Sequence, residues 1–591
     1  MAENPDNVAR KSREKRNESP YPPPNTGRPS VGANRFGAAA HWFLLWCVLL
    51  AALAALRSHT FIAPQAHDEA VFLYAGQAWA AGQTPYRDFW DHKPPNVFLL
   101  HSLPLRFFPF SRPAVLANEL LWLALAATLF AAVCRLYFSR MATFVALAFF
   151  CLFVSESVTA RTGGLTEESA LTFVALSGLM ILHPSPRLLR DALLAGLFLG
   201  VAMEFRQTFG ASLLFLMLAA WQRGRQCGLG AKITAGAIVL TGVGLALPEL
   251  LWSAYFAVKG VWWEYFEGSY LFNFFYIGAE SEKQLAFGEI WNQHLTVLLE
   301  TGPMLAAPAL ALVLLPWVRP ALRWLLGLLL VAFVCEWAPV WLSREFYPHY
   351  YIQAAVSSCL LLGLAAETIC GIAPKIVGRP NTGSAGAAVL AAGGVVGLAV
   401  IVVTAWLTVG GVQGYVADYR RVIRRNELPN GDRARERSLG EAIGRLTAPD
   451  ETILLLGVQP NACYFASRRY AGARYYHNSP LFKGKFQNRI SAEMQQRMLD
   501  DLGERRPVLI LLGLLEGSEK EWLGMELINR RAKFLRPFLD ENYVPFETLV
   551  REIPSAWFWY QDSCSFLVRK DAAETVRKRL EATARPERPK E

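Results

Sequence analysis

The segment 38–56, AAAHWFLLWCVLLAALAAL, contains no Asp, Glu, Lys or Arg. It is long enough to cross a bilayer as a helix, which takes about 17–25 apolar residues. The whole chain of 591 residues is 53% hydrophobic and 18% charged, whereas soluble proteins are about 25% charged. The sequence therefore predicts an all-α protein that spans a membrane several times. Segment 38–56 is expected to be an uncleaved first span that also acts as the targeting signal.

Further apolar runs predict about eleven spans in total. They lie near 38–57, 113–134, 141–156, 166–183, 188–205, 208–222, 233–256, 297–317, 321–342, 350–371 and 386–408. Basic residues of alternate loops fall on one side, which the positive-inside rule assigns to the cytoplasm. These residues are Arg135, Arg140, Arg187, Arg190, Arg223, Arg225, Lys232, Arg319, Arg323, Lys375 and Arg379. This orientation places the chain after about residue 412 outside the cytoplasm.

Changes in composition divide the chain into regions. Residues 1–37 are polar, Pro-rich and basic, which is typical of a disordered segment and is expected on the cytoplasmic side. Residues 38–412 form the predicted membrane domain, with long outer loops at 58–112 and 257–296. Residues 413–591 have the composition of a small extracytoplasmic α/β domain. Its expected elements are strands at 451–458, 507–513, 543–550 and 564–570 and a helix at 489–504.

The charge and the cysteines exclude some functions. The net charge of +10 is explained by basic cytoplasmic loops and anionic lipid headgroups, so no nucleic-acid partner is expected. The nine cysteines form no C-x-x-C pair and lie mostly in apolar spans, where a thiol behaves as a small hydrophobe. No metal site and no cofactor are expected. Cys463 and Cys564 would pair only if their region faces an oxidising compartment.

Carboxylates close to the spans favour the outer membrane face. They are Glu119, Glu156, Glu167, Glu168, Glu204, Glu249 and Glu336. Charged groups within spans are costly and are therefore functional candidates. Because a transporter would place them near the midplane of repeated halves, this asymmetry favours a reaction chamber at the outer surface. The alternative is that each acid only snorkels to the interface.

The first outer loop carries the densest group of ionisable residues, in QAHDEAVFLYAGQAWAAGQTPYRDFWDHKPPN (65–96). Asp68 and Glu69 open a segment of helical composition, and a helix N-terminus favours a carboxylate. Asp68 is either a general base near the membrane surface or an ordinary N-terminal helix acid. Adjacent helical residues point about 100° apart, so the pair does not form one chelating face.

Lys93 in the same loop is followed by Pro94 and Pro95, which are expected to hold the backbone extended before a short interfacial helix at 96–110. A lysine fixed at headgroup height suits a phosphate. Asp88 and Asp91 either orient Lys93 or are solvated loop acids, and the second interpretation is favoured for Asp88.

This loop resembles the first outer loop of the GT-C glycosyltransferases and, within them, the protein mannosyltransferase and aminoarabinose transferase branch. The shared pattern is D-E, an aromatic-rich helix, G-x-x-P-Y-x-D and K-P-P after a first span. Thr166-Glu167 and REFYPHYYIQ (344–353) extend the resemblance, which covers about residues 40–370. Arg206, in EFRQT, stands where the family often has a lysine.

The resemblance implies the GT-C fold and an inverting single displacement at a cell membrane. A sugar would pass from a polyprenyl-phosphate donor to a lipid, glycan or protein acceptor outside the cytoplasm. Asp68 resembles the catalytic base, Glu69 the second acid of the pair, and Lys93 the cation that binds the donor phosphate. The supporting phosphate or sugar contacts would be Asp91, Glu167, Arg206, Arg344, His349 and Tyr350.

Other function classes use some of the same features. A flippase or transporter of lipid-linked sugars would make the same phosphate and aromatic contacts without catalysis. A membrane sensor with a ligand-binding C-terminal domain is a third hypothesis, but it explains neither the acid pair nor K-P-P. The sequence does not select the sugar, the acceptor, the role of the C-terminal domain or the oligomeric state.

Overall fold

The computed structural model of the chain is mostly helical, with one small sheet. It describes residues 35–62, 67–156, 160, 162–274, 288–289, 291–292, 295, 307–343, 347–377, 431–456, 461–478, 492–512, 525–550 and 565–584. The predicted span at 386–408 and the predicted disorder of the N-terminal segment fall outside these residues.

Helices follow one another through the first two thirds of the chain. The first nine are α1 (Arg35–Leu56), α2 (Ser58–Ile62), α3 (His67–Ala80), α4 (Asn96–Leu105), α5 (Arg112–Tyr137), α6 (Arg140–Phe153), α7 (Thr166–Leu182), α8 (Leu188–Met203) and α9 (Leu213–Gln226). They are followed by α10 (Ala231–Val258), α11 (Trp262–Phe266), α12 (Ala307–Val313), α13 (Arg323–Ser343) and α14 (Ala355–Val377). Short 3-10 turns at Gln207–Ser212 and Pro348–Ala354 lead into α9 and α14.

Several helices suit a bilayer. Within the described residues, four segments are long and apolar enough to cross a membrane, namely Arg112–Tyr137, Ala231–Val258, Pro320–Trp341 and Pro348–Ile372. The larger number of spans and the division into domains stay predictions. The segment expected to lie in the interface is helical as α4, which contains Pro104 and ends at Leu105.

Helices α8 and α10 pack backbone to backbone through glycines. A methyl group added at Gly196 would overlap with the carbonyl of Thr241, and one at Gly244 would overlap with the carbonyl of Leu193. Gly200 lies four residues after Gly196, which is the small-xxx-small spacing that lets membrane helices approach closely. Small residues therefore fix the distance between these helices.

Substitution of Gly244 by Ala is expected to destabilise the protein by about 1–3 kcal/mol, because the extra methyl group overpacks the helix contact. Gly242 on the same helix has no atom within 4 Å of an added Cβ, so Gly242→Ala is the matched control and should be neutral or stabilising. The measurement is the thermal unfolding midpoint in detergent. Equal midpoints for the two variants would contradict the close packing.

The C-terminal part builds a small mixed sheet. Its elements are α15 (Gly431–Leu446), β1 (Ile453–Leu456), α16 (Asn461–Ser467), α17 (Ala492–Arg505), β2 (Leu509–Leu512), α18 (Met525–Arg531), α19 (Arg536–Asn542), β3 (Tyr543–Pro545), α20 (Glu547–Val550), β4 (Ser565–Arg569) and α21 (Ala573–Ala584). The strand order is β1-β2-β4-β3, with β1 and β2 parallel and the other pairs antiparallel. All residues of β1 and β2 are buried, as their leucine-rich sequence predicts.

Most of the expected C-terminal elements are confirmed, and one is wrong in its second half. The strand expected at 543–550 stops at Pro545, and α20 begins at Glu547. Pairing with β4 extends to the next residue, whose Phe546 N donates to Phe566 O at 2.9 Å, and the chain then turns, with Leu549 N donating to Phe546 O at 2.9 Å. The helical prediction for 489–504 is confirmed as α17.

The first outer loop packs directly on this C-terminal sheet region. The ring of Tyr74 on α3 lies 4.8 Å from that of Tyr464 and 4.3 Å from that of Tyr476. The Tyr74 hydroxyl accepts a hydrogen bond from Ala471 N at 2.8 Å. Trp90 is fully buried, and its backbone N donates to Arg474 O at 2.8 Å. The C-terminal sheet region therefore packs against the loop that carries the candidate site.

Candidate active site

Asp68 lies at the start of α3, where the sequence predicts it. Its side chain is 39% exposed, and its Oδ2 lies 3.6 Å from Nε2 of His349. His349 belongs to the turn before α14, and its ring stacks on Tyr347 with the centroids 5.7 Å apart. Asp68 is therefore open to a substrate on one side and held beside an imidazole on the other.

Glu69 has different surroundings from its neighbour. It is 1% exposed, and its Oε1 accepts a hydrogen bond from Arg112 Nε at 2.5 Å. Burial raises the pKa of Glu69, and the Arg112 guanidinium opposes that rise. Because the two acids point in different directions, Asp68 faces the site and Glu69 ties α3 to α5.

Lys93 is held through its backbone. Its N–H donates to Asp91 Oδ1 at 2.9 Å, and its carbonyl accepts from the Tyr86 hydroxyl at 2.8 Å. Burial, with repulsion from Arg206, lowers the pKa of Lys93 to about 8, while Asp91 and Asp68 oppose that effect. Lys93 therefore lies within electrostatic reach of Arg206, Asp91 and Asp68.

Asp91 and Asp88, which could both orient Lys93 or both be loop acids, have different hydrogen-bond partners. Asp91 binds the Lys93 backbone and is fully buried, and burial raises its pKa to about 6. Asp88 instead accepts a hydrogen bond from Thr84 N at 2.7 Å, which fits the role of a loop acid that was favoured for it.

The extended conformation expected for the prolines is wrong for Pro95, whose φ of −73° and ψ of −20° are helical. Pro95 precedes the first residue of α4, where its fixed φ already fits a helix.

Arg206 meets two of the other expected contacts. Its guanidinium lies 3.8 Å from the ring centroid of Tyr350, and it forms an ion pair with the buried Glu167. Arg206 Nε also donates to Thr208 Oγ1 at 3.2 Å. The site thus gathers side chains from α3, the loop after it, the start of α7 and the two 3-10 turns. Arg344 lies outside the described residues.

A buried charge network next to this site was not expected. Arg57, which follows α1, donates to Glu168 Oε1 at 2.7 Å and is paired with Glu119. Side-chain exposure is 1% for Arg57, 7% for Glu119 and 0% for Glu168. A basic residue directly after an apolar run is easily taken for a snorkelling residue. The sequence signal for such a network is that acids, Glu119 and Glu168, recur at the same depth in two later predicted spans.

The acids predicted to lie in the outer halves of spans are hydrogen-bonded to other residues of the protein. The Glu249 carboxylate accepts hydrogen bonds from Ser253 and Tyr265 at 3.0 and 2.6 Å, and Glu336 accepts one from Ser357. Glu119, Glu168 and Glu336 are all buried. Snorkelling to the interface therefore does not describe these acids.

Comparisons with known proteins give structural neighbours alone. No family model and no curated protein matches the sequence. One similar structure is the oligosaccharyltransferase AglB of Archaeoglobus fulgidus in complex with an inhibitory peptide and a dolichol-phosphate. Its TM-score is 0.44 at 12% sequence identity, and the match covers 87% of this chain and 73% of the AglB chain. Another is ArnT of Cupriavidus metallidurans bound to undecaprenyl phosphate. Its TM-score is 0.41 at 14% sequence identity, and the match covers 80% of this chain and 93% of the ArnT chain.

Proposed function

We propose that the chain is an integral membrane glycosyltransferase. It takes a sugar from a polyprenyl-phosphate donor and transfers it to an acceptor outside the cytoplasm by an inverting single displacement. The observation that carries this proposal is the convergence of an accessible carboxylate, Asp68, with two cations, Lys93 and Arg206. A displacement of phosphate by a hydroxyl needs a base for the hydroxyl and cations for the departing phosphate.

Asp68 is the general base in this proposal. Its carboxylate is the more exposed of the acid pair, and the His349 imidazole limits its movement. It removes the proton of the acceptor hydroxyl as the oxygen attacks the anomeric carbon and the bond from that carbon to the phosphate oxygen breaks. Glu69 acts indirectly, because its ion pair with Arg112 fixes the start of α3.

Lys93 and Arg206 receive the phosphate. Two cations placed close together repel each other, and an anion between them removes that repulsion. Arg206 is oriented by Glu167 and by the face of Tyr350, a position suited to bidentate contact with phosphate oxygens. Since the phosphate is attached to a lipid tail, its binding cations have to lie at headgroup height, which is where the first outer loop is expected.

A flippase for lipid-linked sugars is the second candidate, and it would leave the sugar–phosphate bond intact. The test uses the full-length protein in sealed vesicles with a donor labelled in its sugar and with membrane extract as the acceptor source. We expect the label to leave the polyprenyl-phosphate donor while free polyprenyl phosphate accumulates. Label that crosses the bilayer still attached to its lipid would contradict the enzyme.

Lys93→Ala is expected to weaken donor binding by about 10–100-fold, because a charge-assisted hydrogen bond contributes about 1.5–3 kcal/mol. Lys259→Ala removes an exposed lysine after α10 and is the matched control, with donor affinity unchanged. Donor affinity is measured by equilibrium binding in detergent. Wild-type affinity in Lys93→Ala would remove this lysine from the site.

A further inference from the structure

We propose that Asp91, His92 and His477 form a binding site for a zinc-like divalent metal ion that clamps the first outer loop to the C-terminal sheet region. One ligand atom from each residue lies within 4.8 Å of the other two. Asp91 and His92 belong to the loop before α4, whereas His477 follows α16. The inference goes beyond the proposed transfer reaction and does not depend on it.

The carboxylate of Asp91 is oriented for a cation. Asp91 is 1% exposed, and its Oδ1 accepts the Lys93 N–H while lying 3.5 Å from Nδ1 of His92. Its other oxygen, Oδ2, is buried and has no hydrogen-bond partner among the described residues. Leaving a buried carboxylate oxygen unsatisfied is costly, and a bound cation would satisfy it.

The backbone is hydrogen-bonded at or near each of the two histidines. Asn273 Nδ2 donates to His92 O at 2.8 Å, and Asn478, next to His477, donates to Tyr475 O at 3.1 Å. The rings of His92 and His477 lie 6.3 Å apart at 29°, and His477 is 6% exposed. Ligands that are positioned before the ion arrives bind it more tightly.

The donor set selects the class of metal. Two imidazoles and one carboxylate suit zinc, which takes nitrogen at about 2.0–2.1 Å and commonly leaves a fourth position open. Calcium and magnesium require mainly oxygen ligands, so they fit less well. Small side-chain rotations would bring the ligand atoms to zinc distances, with water or a substrate oxygen in the fourth position.

The ion would also position Lys93, the cation to which the proposed function assigns the donor phosphate. Asp91 binds the Lys93 N–H, so a metal that fixes Asp91 also fixes the peptide that carries Lys93. The same ion would join this loop to Tyr475 and Tyr476, whose rings already pack on Trp90 and Phe89. The metal is therefore a positioning element for the loop and not a reacting group.

The test is a zinc titration of the full-length protein after chelator treatment, with the metal content measured by mass spectrometry. We expect about one tightly bound zinc per chain, and a tetrahedral-type absorption spectrum when cobalt replaces it. His92→Ala and His477→Ala should each lower zinc affinity by at least about 10-fold. His183→Ala, which removes an exposed histidine after α7, should leave it unchanged.

Two results would overturn the site. One is wild-type protein that binds no zinc beyond the amount that the double variant His92→Ala/His477→Ala retains. The other is an octahedral cobalt spectrum, which would contradict the four-coordinate, zinc-like geometry of the site. If His477→Ala fails to fold, His477→Gln and the spectrum of wild-type protein still decide the outcome.

Discussion

Asp68→Asn is expected to lower kcat for sugar transfer by about 10²–10⁴-fold, the contribution typical of a positioned general base. The amide has the size of the carboxylate but accepts no proton at neutral pH. Because the side chain is 39% exposed, folding should be little affected. Donor affinity should stay at the wild-type value, since the phosphate contacts that we propose are Lys93 and Arg206.

The matched control is Asp88→Asn, in the same outer loop. Asp88 caps Thr84 N and pairs with Arg87, so its amide should retain most of kcat. The measurement is steady-state transfer at saturating donor, with binding measured separately. Equal kcat values for Asp68→Asn and Asp88→Asn would show that Asp68 is not the base.

Arg57→Met is expected to give the largest loss of stability, about 3–5 kcal/mol, because it removes one partner of a buried ion network. Glu119 and Glu168 would then face each other without the guanidinium that binds both. The measurement is the free energy of unfolding, or the thermal midpoint in detergent where unfolding is irreversible. Arg140→Met, at the exposed start of α6, should change the midpoint little.

A triple variant separates charge from packing. Arg57→Met combined with Glu119→Gln and Glu168→Gln removes all the charges, so it should recover part of the lost stability. If the triple variant is as unstable as Arg57→Met, the loss comes from the volume of the side chain. If Arg57→Met itself is as stable as wild type, the network does not hold α1 against α5 and α7.

The sequence was most informative where local pattern and chemistry coincide. The helix that carries Asp68 and the strands β1, β2 and β4 were expected from composition and spacing. The grouping of Arg206 with Tyr350 was expected only from the family resemblance. Apolar runs and charge positions depend on residues close in sequence, which is why they could be read without coordinates.

Features that depend on distant partners could not be predicted in this way. Nothing near Glu69 indicates that it binds Arg112, and nothing near Arg57 indicates that it joins two acids from later helices. The pairing of His92 with His477 is also invisible, because it depends on how the C-terminal sheet packs on the first loop. The fixed φ of Pro95 fits both an extended chain and the residue before a helix, so the sequence could not give its ψ, which is −20°.

The stereochemistry of the transferred sugar tests the central claim most directly. With a donor of defined anomeric configuration and ¹³C at the anomeric carbon, NMR of the product reports whether that centre inverts. A single displacement assisted by Asp68, with Lys93 and Arg206 on the leaving phosphate, predicts complete inversion. A product with retained configuration would contradict this account, because it would require two successive displacements at the anomeric carbon.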